Sequence, residues 1–431
     1  MYRKIINFLE TWKHSSYRKP LILQGARQVG KTYSILEFGR TNYENVAYFN
    51  FETNPKLNKT FEENISPDYL IPILSHIAQQ TIVREKTLIV FDEVQLCERA
   101  LTSLKYFCED APEYHVIVAG SLLGVAVNRA SFSFPVGKVD IKTLYPMDME
   151  EFMLAWGEDT LVEQIKKCFK TDTPLPSALH DRAMELYRQY LVIGGMPECV
   201  MQFVETKDYI LVRHTQNTIL QSYLNDMSKY NTLNEIKKTR LVYDNITIQL
   251  SKKNTRFQYK LIKKGGRAAE FENSIQWLCL SGIVSQVYKT EQIKKPLENY
   301  RDIDAFKIYV SDLGLLCAKK DLAANDILYM VEEINDFKGG MAENYVNVQL
   351  TINGYQTYYW ESPRGAEIDF IIQREGRLIP IEVKSADNTR AKSLKVYIET
   401  YKPDYAIKLS AKNFSFEDGK KTVPLYAAFC I

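Results

Sequence analysis

The chain has 431 residues, 45% of them hydrophobic and 25% charged, a balance that suits a globular protein of about two to four domains. Fifty-five Lys and Arg against 53 Asp and Glu leave a formal charge of +2, which excludes a uniformly basic nucleic-acid-binding surface, so any basic patch must be local. No apolar run is long enough to cross a bilayer, the start Met1-Tyr2-Arg3-Lys4-Ile5-Ile6-Asn7 lacks a secretory apolar core, and the seven cysteines and five histidines are scattered without metal-site spacing. We therefore expect free thiols, a cytoplasmic location and no membrane partner.

In chain order, the first informative segment is Pro20-Leu21-Ile22-Leu23-Gln24-Gly25-Ala26-Arg27-Gln28-Val29-Gly30-Lys31-Thr32. An apolar strand ends in the G-x-x-x-x-G-K-T pattern of a phosphate-binding loop. Gly25 and Gly30 let the backbone curl so that its N–H groups, through Ala26, Arg27, Gln28 and Val29, face inward, and a helix starting near Lys31 adds its positive end. Lys31 is expected on the β- and γ-phosphates of ATP and the Thr32 hydroxyl on Mg²⁺. Val46 to Glu52 supplies a strand, and Ser66 to Val83 and Arg99 to Glu109 read as helices. Between them, Leu88-Ile89-Val90-Phe91-Asp92-Glu93 is a strand ending in two carboxylates. Asp92 is expected to hold Mg²⁺ through water and Glu93 to deprotonate the attacking water. His115 to Ser121 is a further buried strand, with Ser121 the candidate γ-phosphate sensor, although a terminal Gly-Ser also suits a turn. Alternating strands and helices make a parallel sheet with its ligand at the strands' carboxyl ends.

The Gly25–Thr32 loop, Phe91-Asp92-Glu93-Val94-Gln95, Gly120-Ser121-Leu122-Leu123-Gly124 and Ser133-Phe134-Pro135-Val136-Gly137-Lys138-Val139 together resemble a family of bacterial and archaeal AAA+-type ATPases, in which an AAA_14 domain is followed by a DUF4143 domain. From Glu150 to about Tyr230 the pattern is helical, as a lid would be. Within it, Gly194-Gly195-Met196-Pro197 resembles the Gly-x-Pro element of switch-type ATPases, which implies that Pro197 packs on the adenine; the same residues also suit a helix–helix turn. An arginine acting on the transferred phosphoryl group is expected, and Arg129 and Arg213 lie in suitable regions without either being assignable. Residues from about 235 to 320 read as helices (Arg240 to Leu250, Gly266 to Leu280) followed by a hairpin (Ile283 to Tyr288, Phe306 to Val310), a winged-helix-like connector. Lys252, Lys253, Arg256, Lys260, Lys263, Lys264 and Arg267 could contact phosphates, but Glu270 and Glu272 on the following helix favour an internal connector.

Toward the C-terminus, Glu367-Ile368-Asp369-Phe370-Ile371-Ile372, a Glu375-Gly376 turn and Ile379-Pro380-Ile381-Glu382-Val383-Lys384 make a hairpin that groups Asp369, Glu382 and Lys384. Two carboxylates can hold Mg²⁺ and the lysine can orient water at a phosphodiester; the same residues also suit cross-strand ion pairing. The arrangement resembles the D-x(n)-E-x-K set of PD-(D/E)xK nucleases, with Ile368 where those have proline, and Glu343 on an upstream helix is a further acidic member by that resemblance.

The expected architecture is α/β: a P-loop AAA+-type parallel sheet (1–150), a helical lid (151–232), a winged-helix-like connector (233–320) and a C-terminal restriction-endonuclease-like α/β domain (321–431). The expected function is ATP hydrolysis coupled to a Mg²⁺-dependent nuclease acting on DNA or RNA. The alternative is a nucleotide-dependent switch whose C-terminal domain binds a partner or nucleic acid without cutting. An oligomer is compatible with either but not implied.

Overall fold

The computed structural model describes residues 1–120, 135–229, 232–252, 256–385 and 392–431. They divide into two units, one formed by residues 2–145 with 280–282 and the other by 146–279 and 283–431 with Met1.

The N-terminal unit runs α1 (Ile5–His14), β1 (Leu21–Gln24), α2 (Lys31–Asn42), β2 (Asn45–Asn50), α3 (Leu57–Glu63), α4 (Pro67–Ala78), β3 (Thr87–Asp92), α5 (Glu98–Asp110), β4 (His115–Gly120) and β5 (Asp140–Thr143). Every residue of β3 and β4 is buried, because these apolar runs are covered on both faces. The sheet order is β2-β3-β4-β1-β5 and all neighbours are parallel, so every carboxyl end lies along one edge. Strand β4 is inserted between β1 and β3, with Gln24 opposite Gly120 and Phe91 opposite Val118. The chain after β1 and the carboxylates after β3 therefore face one another across the end of β4. Phe51, Phe61, Phe91 and Phe107 meet edge-on or tilted below that edge and fix β3 against α3 and α5. Helix α4 stops at Ala78, short of the expected Val83, because Gln79 turns left-handed at φ 53°. The short edge strand β5 is partly exposed throughout and so carries no apolar run for the sequence to show.

The second unit begins with helices α6 (Met149–Ala155), α7 (Asp159–Thr171), α8 (Ser177–Ile193), α9 (Pro197–Thr206), α10 (Tyr209–Lys229), α11 (Leu233–Leu250) and α12 (Ala268–Leu280). Next come β6 (Val284–Thr290), β7 (Arg301–Val310), α13 (Leu313–Lys319), α14 (Ala324–Leu328), α15 (Asn335–Ile352), β8 (Tyr358–Glu361), β9 (Glu367–Arg374) and β10 (Arg377–Val383). It closes with α16 (Lys392–Tyr401), β11 (Ala406–Ser410), β12 (Ser415–Glu417) and β13 (Lys420–Pro424). The eight strands form one sheet in the order β12-β13-β11-β10-β9-β8-β6-β7. The β6–β7 hairpin joins it through a parallel pairing of β6 with β8, Tyr288 opposite Tyr358, so the hairpin is not a free-standing wing and the sheet takes strands from both sides of residue 320. The helices of residues 151–232 share a core with the chain beyond 335. Tyr187 and Tyr190 stack edge-on to Tyr345 at 4.9 and 5.7 Å, His180 Nδ1 lies 2.9 Å from the Tyr426 hydroxyl, and the Leu175 N–H donates to Asn413 at 2.9 Å. The β9–β10 turn is tight because Glu375 (φ 49°) and Gly376 (φ 76°) both adopt the left-handed conformation that matches strand twist.

Candidate functional site

The loop after β1 is built for a backbone concavity. Gly25 has φ 148°, Gln28 φ 64° and Gly30 φ 90°, and α2 begins at Lys31 immediately after the left-handed Gly30. A Cβ on Gly25 would lie 2.1 Å from the Leu144 carbonyl oxygen, so only glycine fits there. The Lys31 side chain is buried, its Nζ donating to the carbonyls of Gly25 (2.9 Å) and Ala26 (2.8 Å). Arg3, also buried, braces the loop by donating to the carbonyls of Val29 (2.9 Å) and Tyr145 (2.8 Å). Neither Arg3 nor its bonds could be read from the loop motif, because the residue lies 26 positions upstream of Val29.

Thr32, one residue into α2, donates from Oγ1 to Asp92 Oδ2 at 2.8 Å. The Tyr48 hydroxyl donates to the same oxygen at 2.8 Å, and Asp92 Oδ1 accepts the Glu93 N–H at 2.9 Å. Glu93 turns left-handed (φ 51°), and its carboxylate accepts from Gln95 Nε2 at 2.5 Å. Burial, with Asp92 adding to it, raises the Glu93 carboxyl above its ordinary pKa, while Gln95 and Lys31 oppose the shift. Burial and the bond to Asp92 push the Tyr48 phenol up to about 12. The donor set matches Mg²⁺, which takes hard oxygens from one or two protein groups and completes its shell with water and phosphate. Tyr48 and Gln95 were missed in the sequence. Tyr48 and Asn50 share the polar face of β2, alternating with buried Ala47 and Phe49, and that alternation was the available signal.

A second polar cluster lies on β7, α15, β9 and β10. The pairing of Phe370 with Ile381, continued by one residue, sets Asp369 across from Glu382. Asp369 Oδ2 accepts the Val383 N–H at 2.7 Å, and Lys384 Nζ lies 2.5 Å from Glu382 Oε1. Glu382 is 2% exposed, and its Oε2 has no hydrogen-bond partner among the described residues. Burial and then the Glu343 and Glu382 charges raise the Asp369 carboxyl well above its ordinary pKa. Glu343 is engaged by Lys307 Nζ (3.3 Å) and the Tyr309 hydroxyl (2.9 Å), and Lys307 also pairs with Glu367. Among the described residues no three His, Cys, Asp or Glu side chains converge as a ready metal cage. Asp369 and Glu382 are the two carboxylates at this site that could hold a divalent cation between them. Lys307, Tyr309 and Glu367 were missed; a lone lysine in the otherwise apolar, wholly buried run Ala305–Val310 was the signal.

Residues 17–153 match a family profile described as "AAA domain", residues 184–326 one described as "Domain of unknown function (DUF8612)" and residues 338–428 one described as "Domain of unknown function (DUF4143)". The chain carries an AAA domain followed by a DUF4143 domain. No curated protein matches it. Among solved structures it is similar to the Walker-type ATPase PABY2304 of Pyrococcus abyssi (13% identity, 73% of this chain and 94% of that one, TM-score 0.45). It is also similar to the Aeropyrum pernix ORC1 protein in complex with DNA (12%, 74% and 91%, 0.29) and to the Thermotoga maritima RuvB Holliday junction branch migration motor (13%, 67% and 88%, 0.30).

Within the AAA domain, the structure brings Gly25, Ala26, Val29, Gly30, Lys31, Thr32, Asp92 and Glu93 to one edge of the sheet. Ser121 and Arg129 lie outside the described residues. Pro197 opens α9 in the second unit, half-buried, and the two glycines before it have a packing role of their own: the Gly195 N–H donates to Asp312 at 2.6 Å, and a Cβ on Gly195 would meet the Met147 carbonyl oxygen at 2.0 Å. Arg213 is tied down by the Leu322 carbonyl (2.6 Å) and Gln216 (3.2 Å). Between residues 233 and 320, Lys263 pairs with Glu270 at 3.2 Å, and Ile275, Trp277 and Leu278 are core. Among the described residues no helix is long and apolar enough to cross a membrane.

Proposed function

We propose that this chain hydrolyses ATP at the phosphate loop of its AAA domain with the help of Mg²⁺. The observation that carries this reading is the direct contact of Thr32 Oγ1 with Asp92 Oδ2, with Glu93 at the next position and Lys31 folded into the loop. The loop N–H groups and Lys31 Nζ, exchanging its carbonyl partners for phosphate oxygens, would hold the triphosphate. Thr32 and Asp92 would hold Mg²⁺, which when bound offsets the negative charge of the β- and γ-phosphates. Glu93, steadied by Gln95, would take a proton from a water whose oxygen bonds to the γ-phosphorus, while the bond to the β-phosphate oxygen breaks and its electron pair leaves with ADP. The experiment is Mg²⁺-dependent phosphate release by the wild type beside Lys31→Ala. The variant is expected to lose nucleotide binding, and unchanged binding would contradict the assignment.

A second reading concerns the DUF4143 domain: Mg²⁺-dependent cleavage of DNA or RNA at Asp369, Glu382 and Lys384. The buried Oε2 of Glu382, without a hydrogen-bond partner among the described residues, favours it. Asp369 and Glu382 would hold the metal, which would polarise a phosphodiester, and Lys384 would orient the attacking water. Labelled DNA and RNA incubated with Mg²⁺ or Mn²⁺, with and without ATP, beside Asp369→Ala/Lys384→Ala, decide it. Cleavage lost in the double variant supports the reading. Absence of cleavage, or its survival in the variant, leaves a nucleotide-dependent switch that binds its partner or nucleic acid without cutting.

A further inference from the structure

We propose that Lys307 is an internal cation that competes with a divalent metal ion for the Glu343–Asp369–Glu382 cluster, so that metal binding at the Asp369–Glu382 pair is held weak until its ammonium is displaced or removed. The inference rests on the second reading above for where the metal sits, and adds the group that controls its access.

Lys307 comes from β7, outside the segment that carries the Asp369, Glu382 and Lys384 pattern, and its side chain is 1% exposed. A lysine placed in the buried half of a strand carries a large desolvation cost unless carboxylates surround it. Here they do. Glu343 lies 3.3 Å away, Glu367 pairs with the same ammonium, and the Tyr359 ring lies 5.1 Å from it. The two ion pairs, with Glu343 and Glu367, offset the cost of burying the ammonium.

The charge balance of the cluster points the same way. Four carboxyl groups (Glu343, Glu367, Asp369, Glu382) face two ammonium groups (Lys307, Lys384), so with every group in its charged form, as a bound metal would require of its ligands, two formal negative charges remain. One divalent cation would neutralise that remainder, and it would do so beside the orphaned Glu382 Oε2. The Lys307 ammonium, paired with Glu343, repels that cation and keeps Glu343 from becoming its third ligand. Glu343 is therefore conditional: held by Lys307 in the intact chain, and available once that ammonium is gone.

The test measures Mn²⁺ binding to the full-length protein without nucleotide, by calorimetry and by the shift in melting temperature, for wild type, Lys307→Gln and Lys307→Gln/Asp369→Asn. Lys307→Gln is expected to bind at least tenfold more tightly than wild type, and the added Asp369→Asn is expected to abolish the gain. If Lys307→Gln is too unstable for calorimetry, Mn²⁺ is expected to raise its melting temperature by several degrees while leaving the wild type nearly unchanged, because the metal replaces the lost charge. Equal affinity in wild type and Lys307→Gln, lost with Asp369→Asn, would overturn the role of Lys307 and leave the metal pair standing. No Asp369-dependent binding in either protein would overturn both.

Discussion

Replacing Asp312 by alanine is expected to destabilise the second unit by an amount that shrinks as pH rises. Asp312 caps α13 by accepting the Leu315 N–H on Oδ1 at 2.8 Å, and on Oδ2 it accepts the Gly195 N–H at 2.6 Å. Loss of the cap costs roughly 0.5–2 kcal/mol. Leaving the buried Gly195 N–H unpaired adds about 1–3 kcal/mol. The ionised carboxylate is itself costly: burial, only partly offset by the surrounding N–H donors, pushes Asp312 from 3.8 up to about 6. A folded pKa above the unfolded one means that the native state binds the proton more tightly. Its stabilising contribution is complete below pH about 3.8 and falls away as pH rises through about 6. A two-unit shift corresponds to about 3 kcal/mol, of which about 2 kcal/mol is traversed between pH about 4.5 and about 7.5. The variant lacks this group, so the gap between wild type and Asp312→Ala should narrow by about that amount over the interval. Denaturant unfolding of both proteins at the two pH values measures it. A gap that stays constant, or widens with pH, would refute the reasoning. A gap that behaves as expected would show that Gly194-Gly195 is held as a structural dock for α13 whatever else Pro197 does.

Two further outcomes follow from the AAA domain. Gly25→Ala sets a Cβ 2.1 Å from the Leu144 carbonyl at φ 148°, so a loss of about 1–3 kcal/mol in thermal or denaturant unfolding is expected together with weakened nucleotide binding; a variant as stable and as tight as wild type would contradict the loop geometry. Hydrolysis is expected to fail as pH drops through the raised pKa of Glu93, since a protonated carboxyl cannot accept the water proton; a kcat profile whose acidic limb lies at or below the ordinary 4.5 would count against Glu93 as the base.

The phosphate-loop motif and the Asp92–Glu93 strand end were readable because each is a local pattern. Eight consecutive residues make the loop, and Asp92 and Glu93 end one apolar strand. The β9–β10 hairpin was readable for the same reason, its turn residues Glu375 and Gly376 sitting between two β-branched runs. What escaped depends on distant parts of the chain meeting. Tyr48 reaches Asp92 across the parallel pairing of β2 with β3, and Arg3 reaches Val29 from a helix that carries no motif. Lys307 reaches Glu343 because α15 packs along β7, where Asn344 bonds both the N–H and the carbonyl of Val310, and no property of residues 284–310 alone dictates that. The parallel pairing of β6 with β8 joins the expected connector to the C-terminal sheet, and the aromatic packing of Tyr187 on Tyr345 joins the expected lid helices to α15.

The central claim is that the edge holding Lys31, Thr32, Asp92 and Glu93 hydrolyses ATP, and Glu93→Gln tests it most directly. Its carboxylate is replaced by an amide of the same shape, so ATP should still bind with wild-type affinity in the presence of Mg²⁺ while phosphate release in a single turnover falls by about 10² or more. Hydrolysis by Glu93→Gln at the wild-type rate, with ATP bound equally well, would contradict the account.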